Sequence, residues 1–389
     1  MIMDVLIFDM DGVLIDVSKS YRKAIQKTVQ IYMETCLGFE RTKEDWITNE
    51  DISLFKSAGG FNSDWDLTSG VLLYLLSLSD IPPLRKRKRF SSIQETLSYL
   101  KAKSPMSHWR PRQRYLKFPR PTPSPSSPPT RGGEISGGSF LYVREKRLDL
   151  SMQESYIPLK KKNLSSFLDK VKSKGGGLKG IRRILGTSWQ GWVYGTGNLE
   201  KANLVKRIFQ ELYLGKQFAP YYHLRPIFYT GKGLYEQERL LISKEILSSL
   251  RRKVRMGIAS GRPGYEAELA LKRFHLLPYF DSVVTLDECT EEENRIFRST
   301  GKKIKCSKPN PYPVLKAVRE IGISSPRCGY VGDVVDDMAA ARTAKRHLKM
   351  LAIGFIAGHR HRKAARESLV KAGADRVIEN PKELLRLVS

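Results

Sequence analysis

Four cysteines in 389 residues, at Cys36, Cys289, Cys306 and Cys328, are widely spaced and form no CxxC pair. That scarcity argues against a disulfide scaffold and against a thiolate zinc site, and a reducing, cytoplasmic setting fits it best. Acidic residues are few as well: 40 Asp and Glu stand against 68 Lys and Arg, a formal charge of +28. Long apolar runs are missing. The stretch VLLYLLSLSDI (71–81) is too short to span a bilayer, and Asp4, Asp9, Asp11 and Asp16 interrupt any signal-peptide core, so no membrane association is expected.

What remains is a globular composition, 41% hydrophobic and 10% aromatic, on a chain long enough for one large core and a second domain. The charge excess is local. Residues 84–183 carry 25 Lys and Arg and only 6 Asp and Glu, which accounts for +19 of the +28.

From Ser18 to about Phe39 apolar residues recur at helical spacing and end near a glycine. Similar patterns at 68–78, 91–103, 164–174 and 199–214 make residues 17–235 a mostly helical unit. It is broken by a basic Pro/Ser/Gly-rich segment at about 104–150, which cannot support a packed core and reads as a disordered insertion. After Tyr235 the pattern alternates. A helix is expected at 236–250, a strand at 254–260, a helix at 265–274 and a strand at 282–285. Strands at 327–333, 350–355 and 375–379 follow, with one helix before the first of them and one between the first two. With Val5–Phe8, about six strands alternate with helices, which predicts an α/β fold: a Rossmann-like parallel sheet with right-handed crossovers and the helical unit inserted as a separate domain.

In such sheets the chemistry gathers at the carboxyl ends of the strands. The run VLIF is followed by DMDGVL, so Asp9 falls at a strand end with Asp11 two residues on. The pair either faces one small volume, where a divalent cation relieves the repulsion, or forms an Asp-rich turn with local hydrogen bonds. Three further strand ends bear on that choice. Ser260-Gly261-Arg262-Pro263 offers a hydroxyl, a free amide and a helix start suited to phosphoryl oxygens. Lys308 precedes a proline-initiated helix. GYVGDVVDDM ends a strand with Asp333, Asp336 and Asp337, and acids at two strand ends of one sheet call for a hard oxygen-liking cation, magnesium above all.

Taken in order, DxDG, SGR, KP and GDxxxD resemble the four motifs of the haloacid dehalogenase superfamily of phosphohydrolases, over residues 1–16 and 236–389. The helical unit 17–235 looks like the cap of subfamily IA, the phosphoglycolate-phosphatase-like branch, although it is longer than that pattern. FKSAGGFNSDWDLT (55–68) is similar to a cap segment of one clade in that branch.

The resemblance implies a magnesium-dependent hydrolysis of a small phosphomonoester. Asp9 would be the nucleophile and would form an aspartyl-phosphate, and Asp11 would be the acid and base. Ser260, Gly261 and Lys308 would hold the phosphoryl oxygens. Asp9, Asp11 through its backbone carbonyl, Asp333 and Asp337 would serve the Mg2+ site; Asp336 is left out by the family spacing. Lys56, Asn62, Asp64, Trp65 and Asp66 are candidates for a substrate loop in the cap, with Trp65 equally suited to the cap's interior and the others to helix capping.

Asp11 favours phosphotransfer over dehalogenation, and a sugar-phosphate mutase is the alternative within the superfamily. Basic runs at 85–90, 109–120 and 159–163, interleaved with Trp109, Tyr115 and Phe118, raise nucleic-acid binding as a reading of another class, for which a solvated basic loop is the preferred explanation. A catalytically inert scaffold is disfavoured because every expected catalytic side chain is present.

Overall fold

The computed structural model describes residues 3–41, 45–61, 63–105, 164–359 and 361–388. The basic segment 106–150 therefore lies outside the described residues, as does Asn62; Ser104 and Pro105 lie within them.

Eight strands are present among these residues: β1 (Val5–Phe8), β2 (Ile15–Asp16), β3 (Arg239–Leu240), β4 (Arg255–Ala259), β5 (Ser282–Val284), β6 (Arg327–Gly332), β7 (Lys349–Phe355) and β8 (Arg376–Ile378). Six form one parallel sheet in the order β5-β4-β1-β6-β7-β8, and β2 pairs with β3 as a separate antiparallel ribbon. β1 is central: Phe8 lies opposite Ile258 on one side and Val331 on the other. All four of its side chains are buried, because Val5 and Ile7 join the core on one face of the sheet while Leu6 and Phe8 join the core on the other. From β1 the chain builds outward to β4 and β5, then crosses over to β6, β7 and β8. The order thus reverses between β1 and β6, the place where open α/β sheets form their crevice.

Above that crevice the helices of residues 21–222 pack on one another, chiefly Tyr21–Ile31 against Leu204–Leu214 and Asp64–Ser77 against Gly177–Leu185. The helix from Tyr21 continues through a π-helical turn at Tyr32–Cys36 and stops before Gly38, whose φ of 78° suits a glycine best. Rings fill the interior: Tyr21 stacks on Tyr213 with centroids 4.4 Å apart and on Phe209 at 5.7 Å.

The helix expected over 236–250 is corrected to Lys244–Arg251. Glu238 is extended instead. Its carboxylate accepts from Ser20 Oγ, Tyr213 OH and Arg262, and the next two residues pair with Ile15 and Asp16. Long-range pairing overrode a helical periodicity there.

Candidate active site

Asp9 directly follows β1, where its amide donates to Val331 O at 2.8 Å and ties it to the neighbouring strand. Asp333 directly follows β6. Between them Gly12, at φ 78°, makes the turn that brings Asp11 back, and a Cβ at Gly12 would strike the Asp333 carboxylate. Any other residue there would both strain the backbone and fill the crevice.

Lys308 Nζ lies 2.7 Å from Asp9 Oδ1, 2.7 Å from Asp337 Oδ1 and 3.1 Å from Tyr330 OH. The other Asp337 oxygen accepts from the amides of Asp333 and Val334 at 3.1 and 3.2 Å, which explains how a fully buried carboxylate is tolerated. Burial opposes the Lys308 charge, but Asp337 and Asp9 overcome it and hold its pKa well above the usual lysine value. Burial raises the Asp9 carboxyl well above its ordinary value, Lys308 working against the rise. Asp333 is opposed by burial too, yet His359 Nε2 at 3.3 Å from its Oδ2 helps leave it below the ordinary carboxyl value.

Asp9, Asp333 and Asp337 bring ligand oxygens within 4.8 Å of one another. Three buried carboxylates, two of them on the Lys308 ammonium, form an all-oxygen donor set of the kind that suits a hard divalent cation, so these residues fit the metal that the sequence implies. Asp336 points elsewhere. Its Oδ2 accepts from Gly60 N at 3.3 Å and so ties the segment after the helix Asn49–Ser57 to the sheet edge.

Asp11 stands apart from this cluster. Its Oδ1 is 2.5 Å from Nε of Arg262, whose side chain is buried and whose other nitrogens reach Glu238 and Tyr213 OH while its plane lies over the Tyr21 ring. Burial raises the Asp11 pKa to about 6, against the pull of Arg262. Ser260 directly follows β4, and its Oγ accepts from the Arg262 amide at 3.1 Å. The Gly261 amide meets no acceptor among the described residues and remains available to a ligand.

These groups line a cavity of about 130 Å3 that includes Asp9, Asp11, Ser260, Gly261, Lys308 and Asp333. Of the candidate loop residues, Lys56 and Asp64 also line it and pair at 3.2 Å. Trp65 does not: its ring meets Phe209 edge-on at 6.0 Å, under Lys206, which makes it part of the helical interior. Asp66 sits in the first turn of a helix capped by Ser63, whose Oγ accepts from the Asp66 amide, and it too lies off the cavity. Sequence reasoning missed Arg262 as a side chain, together with Glu238, Tyr213, Tyr330 and His359. Only Arg262 carried a signal, its place directly after Ser260-Gly261.

A family model described as haloacid dehalogenase-like hydrolase matches residues 195–345. Residues 195–345, somewhat under half of the chain, are thus similar to the haloacid dehalogenase-like hydrolases. The matched span contains Ser260, Gly261, Lys308, Asp333 and Asp337, while Asp9 and Asp11 precede it. A structural-genomics target solved by X-ray crystallography is similar over 100% of this chain and 98% of its own, at 18% identity and a TM-score of 0.53, a likeness of fold. A phosphatase from Thermococcus thioreducens is 17% identical over 90% of this chain and 92% of its own, with a TM-score of 0.46. An imidazoleglycerol-phosphate dehydratase from Phytophthora nicotianae is 31% identical over 114 residues, which are 29% of this chain and 22% of that protein. The match thus spans about a fifth of that relative's length. Among the described residues no helix is long and apolar enough to cross a membrane.

Proposed function

We propose that this hydrolase is a magnesium-dependent phosphatase of small phosphomonoesters, of the subfamily IA type, with the helices of residues 17–235 acting as a cap over the sheet edge. The observation that carries the reading is the meeting of the Asp9, Asp333 and Asp337 carboxylates, with Lys308 on Asp9 and Asp337 and Asp11 held separately by Arg262.

Asp9 attacks phosphorus in line, and the alcohol leaves from the opposite side as the aspartyl-phosphate forms. Asp11, with a pKa near 6, gives its proton to the departing oxygen; it then removes a proton from the water that opens the aspartyl-phosphate. Ser260 Oγ, the Gly261 amide and Lys308 donate to the phosphoryl oxygens, where negative charge grows. Asp9, Asp333 and Asp337, with the Asp11 carbonyl, would hold Mg2+, which supplies charge neutralisation at the phosphoryl group. Lys308 keeps the Asp9 carboxylate aimed.

The test is a panel of phosphomonoesters assayed with magnesium. It includes an imidazole-bearing ester, prompted by the name of the dehydratase relative, and hexose phosphates, for which release of inorganic phosphate separates hydrolysis from transfer to a second sugar hydroxyl. Phosphate release from at least one ester is expected. Transfer without release would favour the mutase alternative.

A further inference from the structure

The side chain of Arg262 is fully buried, yet Asp11, to which it is tied, keeps 25% of its side-chain surface and lines the catalytic cavity. The main chain of Arg262 is fixed at both of its polar groups. Its amide donates to Ser260 Oγ at 3.1 Å, and its carbonyl accepts from Leu286 N at 2.8 Å.

Every guanidinium nitrogen has a partner. Nη1 donates to Tyr213 OH at 3.0 Å and to Glu238 Oε2 at 3.3 Å, and Nη2 donates to Glu238 Oε1 at 3.1 Å. Nε is left for Asp11 Oδ1, at 2.5 Å. Glu238 is itself anchored, since its Oε1 accepts from Ser20 Oγ at 2.9 Å and from Tyr213 OH at 3.1 Å. The guanidinium carbon lies 4.9 Å from the centre of the Tyr21 ring, which closes off the remaining side. A guanidinium needed only to neutralise Glu238 would be satisfied by that two-point pair. Here the third edge reaches out of the buried network to a carboxylate on the cavity wall. Asp11 Oδ2 accepts from no donor among the described residues, so one oxygen of this carboxylate is engaged and the other is open.

We propose that Arg262, anchored by Glu238 and Tyr213, is a positioning residue for the acid and base of the reaction: it engages Asp11 Oδ1 and leaves Oδ2 to pass its proton to the departing alcohol oxygen as the P–O bond breaks. The inference rests on the phosphatase reading and deepens it by naming what aims Asp11. A carboxyl free to swing meets the leaving oxygen only part of the time, and a misplacement of about 1 Å can cost about 10²-fold in rate.

The test is the leaving-group dependence of kcat/KM, which covers the steps through P–O cleavage. A 4-nitrophenoxide departs without a proton and an alkoxide does not, so loss of a well-aimed acid penalises alkyl phosphates selectively. Arg262→Lys keeps a cation but loses the fork. It should lower kcat/KM for alkyl phosphates of two to four carbons at least about tenfold more than for 4-nitrophenyl phosphate, mainly through kcat. Tyr213→Phe removes one anchor and no charge; it should show the same selectivity at about threefold, and it carries the test where Arg262→Lys does not fold. Asp11→Asn should rank the esters in the same order with the largest selectivity. Equal losses for aryl and alkyl esters in the folded variants overturn the positioning role and leave the phosphatase reading intact. Should the wild-type protein hydrolyse no ester of either kind, the phosphatase reading falls, and crystal structures of the wild type and Tyr213→Phe decide the positioning. One Asp11 rotamer in the wild type and several in the variant sustain it, whereas the same single rotamer in both overturns it.

Discussion

At the sheet edge Lys308 holds Asp9 and Asp337 at 2.7 Å each, whereas in the helical region Tyr21, Phe209 and Tyr213 meet as stacked rings. The edge puts several buried charges within one small volume and tolerates them because backbone amides and one ammonium answer the carboxylates. The rings bury area and carry little charge. Chemistry should therefore depend on the first region and stability on the second, and the network of Arg262, Glu238 and Tyr213 links the two.

The comparison breaks most visibly at the metal. Excess chelator should abolish phosphate release and added Mg2+ restore it; full activity in chelator would remove the metal from the account. Next, Asp11→Asn should lower kcat by about 10²–10⁴, the usual contribution of a positioned acid and base, with an unchanged thermal midpoint. A large fall in the midpoint would mean that Asp11 acts mainly as the counter-charge of Arg262.

In the helical region Phe209→Ala should do the reverse and cost about 3–5 kcal/mol of stability in denaturant unfolding, since the ring is fully buried. Near-normal stability would show the ring stack to be dispensable. Glu266 sharpens the same contrast through pH. It is buried with Tyr21 and Gln210, and burial raises its pKa from 4.5 to about 7. The folded state thus favours the neutral carboxyl. That contribution is fully present below about pH 4.5 and is lost as pH rises through about 7, an effect of at most about 3 kcal/mol. Glu266→Gln should flatten the fall in thermal midpoint between pH 5 and 8, and an unaltered slope would assign the pH dependence elsewhere. Smallest of all, replacing 106–150 with a Gly/Ser linker should leave turnover of a small ester within a few-fold, because loop closure costs little. The linker begins after Pro105 because Ser104 is buried and its Oγ donates to Leu37 O at 2.5 Å. A collapse of catalysis in a folded protein would give the basic segment a role in substrate capture.

The same contrast explains what the sequence made legible. Asp9, Ser260 and Asp333 each stand directly after a strand, so reading the strands located them. The strands at 254–260, 327–333 and 350–355 were visible because a sheet buried on both faces needs continuous apolar runs. Arg262 meets Asp11 across 251 positions and Tyr213 across 49, and no local pattern encodes such pairings. The helix Leu286–Thr300 escaped notice because Cys289 alone is buried along it, which leaves little apolar periodicity. Trp65 was ambiguous for a similar reason, since an aromatic beside acids fits a lid or an interior until Phe209 is found against it.

The central claim, that Asp9 accepts the phosphoryl group, is tested most directly by acid quenching the protein during turnover and mapping covalent phosphate by mass spectrometry. The account predicts phosphate on the peptide that contains Asp9, and neither label nor turnover in Asp9→Asn. Sustained turnover in Asp9→Asn, or phosphate found on another side chain, would contradict it.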